Sequence, residues 1–186
     1  HTRLQGDWSS DVCPSDLMNT LNLPPPKRLD EAVPANLHSG LLRHAAPAPN
    51  ELLQRPALGY AGDVSCSLAM AWWQADEAVL IDVRTDAERA WVGFIPDALA
   101  IAWKQWPGMA SNPDFDQQLL LAVPKGKKAL MLCRSGVRSI AAAKRATELG
   151  LEAYNIIDGF EGDPDKKGQR GHLGGWRRSG LPWRQS

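Results

Sequence analysis

The chain has 186 residues, 44% of them hydrophobic, which supplies one core of ordinary size with residues to spare. Lys and Arg number 21 and Asp and Glu number 21, so the formal net charge is zero. That balance argues against a general nucleic-acid binder or a membrane-surface protein. No run of about 18 apolar residues offers a membrane span. Neither His1 nor Met18 opens the basic, then apolar, then small-residue pattern of a secretory signal. The expectation is a cytoplasmic protein with no nucleic-acid or membrane partner. The three cysteines, Cys13, Cys66 and Cys133, are odd in number and far apart, with no CxxC pair. Neither a zinc site nor a disulfide framework is indicated, and reduced thiols are expected.

Residues 1–17, HTRLQGDWSSDVCPSDL, do not blend with the rest of the chain, and Met18 makes a natural start. The segment is similar to adapter-derived translated sequence. It is read as a non-native or disordered leader, against the plainer reading of a flexible extension. Residues 18–58 carry Pro24, Pro25, Pro26, Pro34, Pro47 and Pro49, which disfavour helix and strand interiors. They are read as a proline-rich arm, a plain tail rather than a polyproline docking motif.

The ordered domain is expected over 59–186. DVSCSLAMAWWQADE has helical spacing, with Asp63 or Ser65 as N-cap and Trp72 and Trp73 as packing residues. Its Cys66 sits among apolar residues and is expected to be inert. AVLIDVR (78–84) is a strand apolar enough to be buried on both faces. Thr85 then caps the short helix DAERAW, on which Glu88 is read as a surface residue. ALAIAW (98–103) is a second strand and NPDFDQQLLLAV a helix ending before Pro124. KKALMLCR (127–134) is a third strand, followed by the helix GVRSIAAAKRATELG, stopped by Gly150. AYNIID (153–158) is a fourth strand. A last short helix opens near Gly171, Gly174 and Gly175, with Trp176 packed on the domain. Alternating strands and helices predict an α/β fold, a central parallel sheet flanked by helices. Ligands of such sheets bind beyond the carboxyl ends of the strands, where Cys133 sits.

The loop CRSGVR joins that strand end to a helix start. The first amides of the helix have no partner within it and can converge on an anion. Gly136 permits the tight turn, Ser135 is a candidate cap, and Arg134 and Arg138 add positive charge. A thiol there loses its proton readily and becomes a nucleophile without a neighbouring histidine. The domain has one histidine, His172, far along the chain, so a Cys–His hydrolase has little support. The bland alternative, a buried small hydrophobe beside solvated arginines, fits the strand-end setting less well.

This loop resembles the active-site loop of rhodanese sulfurtransferases. The supporting matches are LIDVRTDAE (80–88), VGFIPDALAI (92–101), NPDF (112–115), DGFEGD (158–163) and GGWRRSGLPW (174–183). The resemblance spans residues 59–183, about two thirds of the chain. It departs from the family's GHIPGA at Phe94 and Asp97, which alters a turn and nothing catalytic. The resemblance implies a three-layer rhodanese-like domain and sulfur transfer in two half-reactions. Cys133 would take the outer sulfur of thiosulfate or a similar small anionic donor, then pass it to a thiol or cyanide. The loop from Arg134 through Ser135, Gly136, Val137 and Arg138 to Ser139 would hold the persulfide. Asp82 and Arg84 would order the loop. No metal or organic cofactor is implied.

Two rivals stay open. Phosphatases and arsenate reductases of similar fold carry a C-x5-R loop one residue longer. Here Cys133 to Arg138 spans six residues, leaving room for one sulfur atom rather than an oxyanion. A non-catalytic binding module, or a carrier that hands sulfur to a protein acceptor with the arm as its recognition element, is the other rival. DPDKKGQRG (163–171) is no calcium loop, because Lys167 takes the fifth position.

Overall fold

A computed structural model describes residues 51–186. The leader, most of the arm and Cys13 lie outside the described residues. The elements run β1 (Gln54–Ala57), β2 (Tyr60–Val64), α1 (Cys66–Gln74), β3 (Ala78–Asp82), α2 (Asp86–Val92), β4 (Leu99–Ala100), β5 (Lys104–Gln105), β6 (Ala110–Ser111), α3 (Phe115–Ala122), β7 (Lys128–Leu132), α4 (Val137–Glu148) and β8 (Ala153–Ile156). Six strands form one sheet in the order β1-β2-β8-β7-β3-β4. The β1–β2 pair is antiparallel and every other pairing in that sheet is parallel. β5 and β6 form a separate small antiparallel hairpin.

The period-2 geometry of the central strands sorts their side chains into two cores. Along β7 and just beyond it, Ala129, Met131 and Cys133 face one way with Ile81, Val83, Phe115, Leu119 and the buried alanines of α4. Leu130 and Leu132 face the other way with Leu80, Ile156, Phe160, Trp176 and residues of α1. Helices therefore cover both faces, and the three-layer α/β architecture expected from the sequence is present. In α4, Ala142, Ala143 and Ala146 are fully buried, whereas Ala141 is exposed. Small residues at this spacing let the helix axis approach the sheet closely and keep high helix propensity.

Local caps explain where helices begin. Ser65 accepts from the Leu68 amide and starts α1, while Asp63 belongs to β2. Thr85 and Glu88 form a reciprocal capping box at the start of α2.

Four expectations shift. Residues Gln54–Ala57, read as part of the arm, form an edge strand. The edge tolerates Pro56, which donates no hydrogen bond, and Gly59 (φ 87°) turns the chain back into β2. The strand expected over 98–103 is assigned only at Leu99–Ala100, although Ile101 and Trp103 still donate to the carbonyls of Asp82 and Val83. The strand expected over 153–158 ends at Ile156, and Asp158 (φ 62°) begins a turn. The segment around Trp176 is a series of turns and not a helix. Trp176 is nevertheless fully buried, its indole N–H donating to the Pro182 carbonyl at 2.9 Å. No described helix is long and apolar enough to cross a membrane.

Candidate active site

Cys133 follows the last residue of β7, in the middle of the sheet, and is only 1% exposed. The chain then turns through Gly136, which is left-handed (φ 99°) and occupies the N-cap of α4. Only glycine takes that conformation cheaply. Its amide donates to Cys133 Sγ at 3.2 Å, and Ser139 Oγ lies 3.2 Å from the same sulfur. Ser135 does not cap the helix; no side chain caps α4. The amides of Val137, Arg138 and Ser139 open the helix and have no carbonyl one turn earlier within it. The sulfur thus sits at the positive end of a twelve-residue helix.

The outer side of the loop is clamped by the turn after β8. The Phe160 amide donates to the Cys133 carbonyl at 2.8 Å and the Glu161 amide to the Arg134 carbonyl at 2.9 Å. Gly159 makes this approach possible. A Cβ there would stand 2.3 Å from the Cys133 carbonyl oxygen, and its φ is 57°. Arg84 supports the clamp from below. Its guanidinium lies 3.9 Å from the centre of the Phe160 ring and grips Asp82 through Nε (2.9 and 3.1 Å) and Nη2 (2.6 Å). Nη2 also donates to the Gly93 carbonyl at 2.9 Å, and both residues of the pair are buried. Asp82 and Arg84 therefore act through Phe160, and the structure gives them no hydrogen bond to the loop itself.

Arg138 is not free to meet a ligand with its whole charge. Nη1 and Nη2 donate to Glu88 Oε2 and Oε1 at 2.7 and 2.5 Å. Glu88, expected on the surface, is half-buried and accepts from the Thr85 amide and hydroxyl, both at 3.0 Å. Burial disfavours its charge most, but the bonds from Arg138 and Thr85, with the charge of Arg138, outweigh burial and hold its carboxyl at about 2. The signal for Glu88 was the T-x-x-E capping box, which already turns the carboxylate inward. Arg134 is exposed and makes no ion pair among the described residues.

A second polar chain reaches the sulfur from behind. Asp63 Oδ1 accepts from the Tyr60 hydroxyl at 2.7 Å and from Asn155 Nδ2 at 2.9 Å. Burial first, then Asp63, pushes the Tyr60 phenol up, so it stays a donor. The Asn155 amide nitrogen donates to that carboxylate oxygen, which fixes the orientation of the amide. Asn155 Oδ1 therefore faces Ser139 Oγ, 2.6 Å away. The single hydroxyl proton of Ser139 has three acceptors in reach: Asn155, the Gly136 carbonyl at 3.0 Å, and Sγ at 3.2 Å. Asn155 is nearest, so it competes with the Cys133 sulfur for the Ser139 proton. Asn155 carried no motif, because its role depends on β2 lying beside β8.

Cys66 is the other described cysteine. Burial, reinforced by Asp158, pushes its thiol up to about 12, and its Sγ lies 3.6 Å from the Ile157 carbonyl. Burial thus disfavours its thiolate form. Among the described residues no cluster of three His, Cys, Asp or Glu side chains could hold a metal ion.

A strand-end thiol set on a left-handed glycine and a helix start defines a class of α/β domain, and the comparisons place the chain within it. The family model for the rhodanese-like domain matches residues 67–163, and this chain belongs to that family. An uncharacterized protein of Rickettsia conorii is 37% identical over 113 residues, covering 58% of this chain and 84% of that protein. A protein of Allochromatium vinosum named sulfurtransferase is 30% identical over 117 residues, covering 62% of this chain and 87% of its own. The crystal structure of Rv0390 from M. tuberculosis aligns with a TM-score of 0.62 at 41% identity, over 68% of this chain and 99% of that one.

Two outcomes are expected from this geometry. Glu88 binds its proton less readily in the folded chain than at its ordinary 4.5, so its stabilising contribution is full above about 4.5 and is lost as pH falls toward 2. Urea unfolding of Glu88→Gln across that window should show a shallower pH dependence than the unaltered chain; equal slopes would contradict the ion-pair account. Asn155→Leu removes the nearest competitor for the Ser139 proton. Alkylation of Cys133 by iodoacetamide at pH 7 should then speed up roughly tenfold, the worth of one hydrogen bond to a charged acceptor. Slower labelling of a folded variant would contradict that polarity.

Proposed function

We propose that the chain is a sulfurtransferase that carries sulfane sulfur on Cys133. The observation that carries this reading is the setting of Sγ, with the Gly136 amide and the Ser139 hydroxyl each 3.2 Å away at the start of α4. The family membership and the sulfurtransferase name of the Allochromatium relative support it. In the first half-reaction the Cys133 thiolate attacks the outer sulfur of thiosulfate. The S–S bond of the donor breaks, sulfite leaves with its electron pair, and Cys133 holds a persulfide anion. In the second, an acceptor thiolate or cyanide attacks the outer sulfur, the new S–S bond breaks, and the Cys133 thiolate returns. Charge is conserved in each half, and neither needs an oxidant.

This chain's own residues do three things in that sequence. The amides from Arg134 to Ser139 stabilise the anionic sulfur by fixed dipoles that need no reorganisation. Arg134, unpaired among the described residues, draws the anionic donor. Arg138, held by Glu88, shapes the loop edge more than it contributes net charge. The six-residue spacing from Cys133 to Arg138 favours a single sulfur atom over a tetrahedral oxyanion. A protein thiol as acceptor uses the same second half-reaction.

Mass spectrometry of thiosulfate-treated protein should show one added sulfur atom that cyanide removes. Cys133→Ser should fail to take it up while melting near the temperature of the unaltered chain, because the swap is small. No adduct on folded protein, or an adduct that survives in Cys133→Ser, would overturn the reading.

A further inference from the structure

Beside the loop lies a cleft of about 260 Å³ whose lining includes Glu88, Trp91, Trp106, Met109, Arg134 and Arg138. Its chemistry is mixed in an informative way. Trp91 is 71% exposed, Trp106 60% and Met109 36%, so three large apolar side chains stand in water at one opening. Trp91 comes from α2, whereas Trp106 and Met109 come from the connection between β5 and β6. Two separate segments thus converge on the cleft. Indoles exposed together are uncommon on a surface that binds nothing, and they serve as contact area for apolar groups. The charges also sum simply. Glu88 offsets Arg138 in a bidentate pair, which leaves Arg134 as the uncompensated cation of the lining.

Size argues against a ligand as small as thiosulfate alone. At a water-sized share of about 30 Å³ per non-hydrogen atom, the cleft takes about nine such atoms. Thiosulfate fills roughly half of that. Trp91, Trp106 and Met109 supply the large apolar walls of the cleft.

Building on the sulfurtransferase reading, we infer that this cleft selects the acceptor: an organic thiolate with a branched or aromatic hydrocarbon body and one carboxylate. The hydrocarbon packs between the indoles and the Met109 thioether. The carboxylate meets Arg134. The thiolate sulfur is left to attack the outer sulfur of the Cys133 persulfide; the RS–S bond forms, the Cys133 S–S bond breaks, and the organic persulfide anion departs. Arg134 offsets the repulsion between two anions that must approach each other.

The test uses the full chain, loaded with sulfur from thiosulfate and freed of excess donor. Discharge is followed with three acceptors that each carry the thiol on the carbon next to the carbonyl: thiolactate, 2-mercapto-4-methylpentanoate and the amide of the latter. The larger carboxylate should be preferred to thiolactate about tenfold in kcat/KM, the share expected of a half-buried isobutyl group. The double substitution Trp91→Ala, Trp106→Ala should bring that ratio close to one, and Arg134→Ala should lower the carboxylate-over-amide ratio. Both tryptophans are exposed, and a melting curve verifies that the variants fold. Equal discharge to thiolactate and the larger thiol, or a preference unmoved by the tryptophan substitutions, overturns the inference. Failure of thiosulfate to load Cys133 at all overturns the sulfurtransferase reading instead, so the two failures are separable.

Discussion

Two backbone hydrogen bonds hold the rest of the site in place: Phe160 N–H to the Cys133 carbonyl and Glu161 N–H to the Arg134 carbonyl. A peptide plane points its N–H and its C=O in opposite directions. Pinning the carbonyls at the start of the loop to the 158–161 turn therefore points the Arg134 and Ser135 amides away from that turn, and the next amide, of Gly136, donates to Sγ. Gly136 completes the turn and starts α4. The cradle is thus made by backbone geometry, and side chains only steady it.

Much of the domain serves that clamp. Gly159 allows two backbones to come closer than any side chain would permit. Phe160 is wedged between the Arg84 guanidinium and the edge of Trp183, whose ring centroid lies 6.0 Å away at 86°. Trp183 in turn is covered by Arg177, 4.4 Å from its ring centre. The C-terminal segment is tied to the opposite end of the stack, where Phe94 and Arg184 exchange backbone hydrogen bonds of 2.8 Å. The buried Asp82–Arg84 pair is the costly member. Removing one partner of such a pair leaves an uncompensated charge worth about 3–5 kcal/mol. Its return is a fixed position for Phe160 and hence for the Cys133 carbonyl.

The order of strands and helices was legible because each central strand is a short apolar run and each helix carries a cap or a stop. Thr85, Ser65, Pro124 and Gly150 mark those ends in the sequence itself. Cys133, Gly136 and the following helix were legible for the same local reason. What escaped was set by contacts distant along the chain. The edge strand at Gln54–Ala57 pairs only because β2 is there to receive it. Asn155 matters only because Asp63 and Ser139 flank it in space. Glu88 was read as exposed because helical spacing alone gives no sign of Arg138, fifty residues away.

The comparisons agree on the rhodanese-like family, and the sulfur-carrying role of Cys133 is the reading proposed for this chain. The most direct test is a crystal structure of the thiosulfate-treated protein. One additional sulfur bonded to Cys133 Sγ, within hydrogen-bond reach of the amides between Arg134 and Ser139, is the predicted result. An unmodified Cys133 with an intact oxyanion seated in the loop would contradict the account.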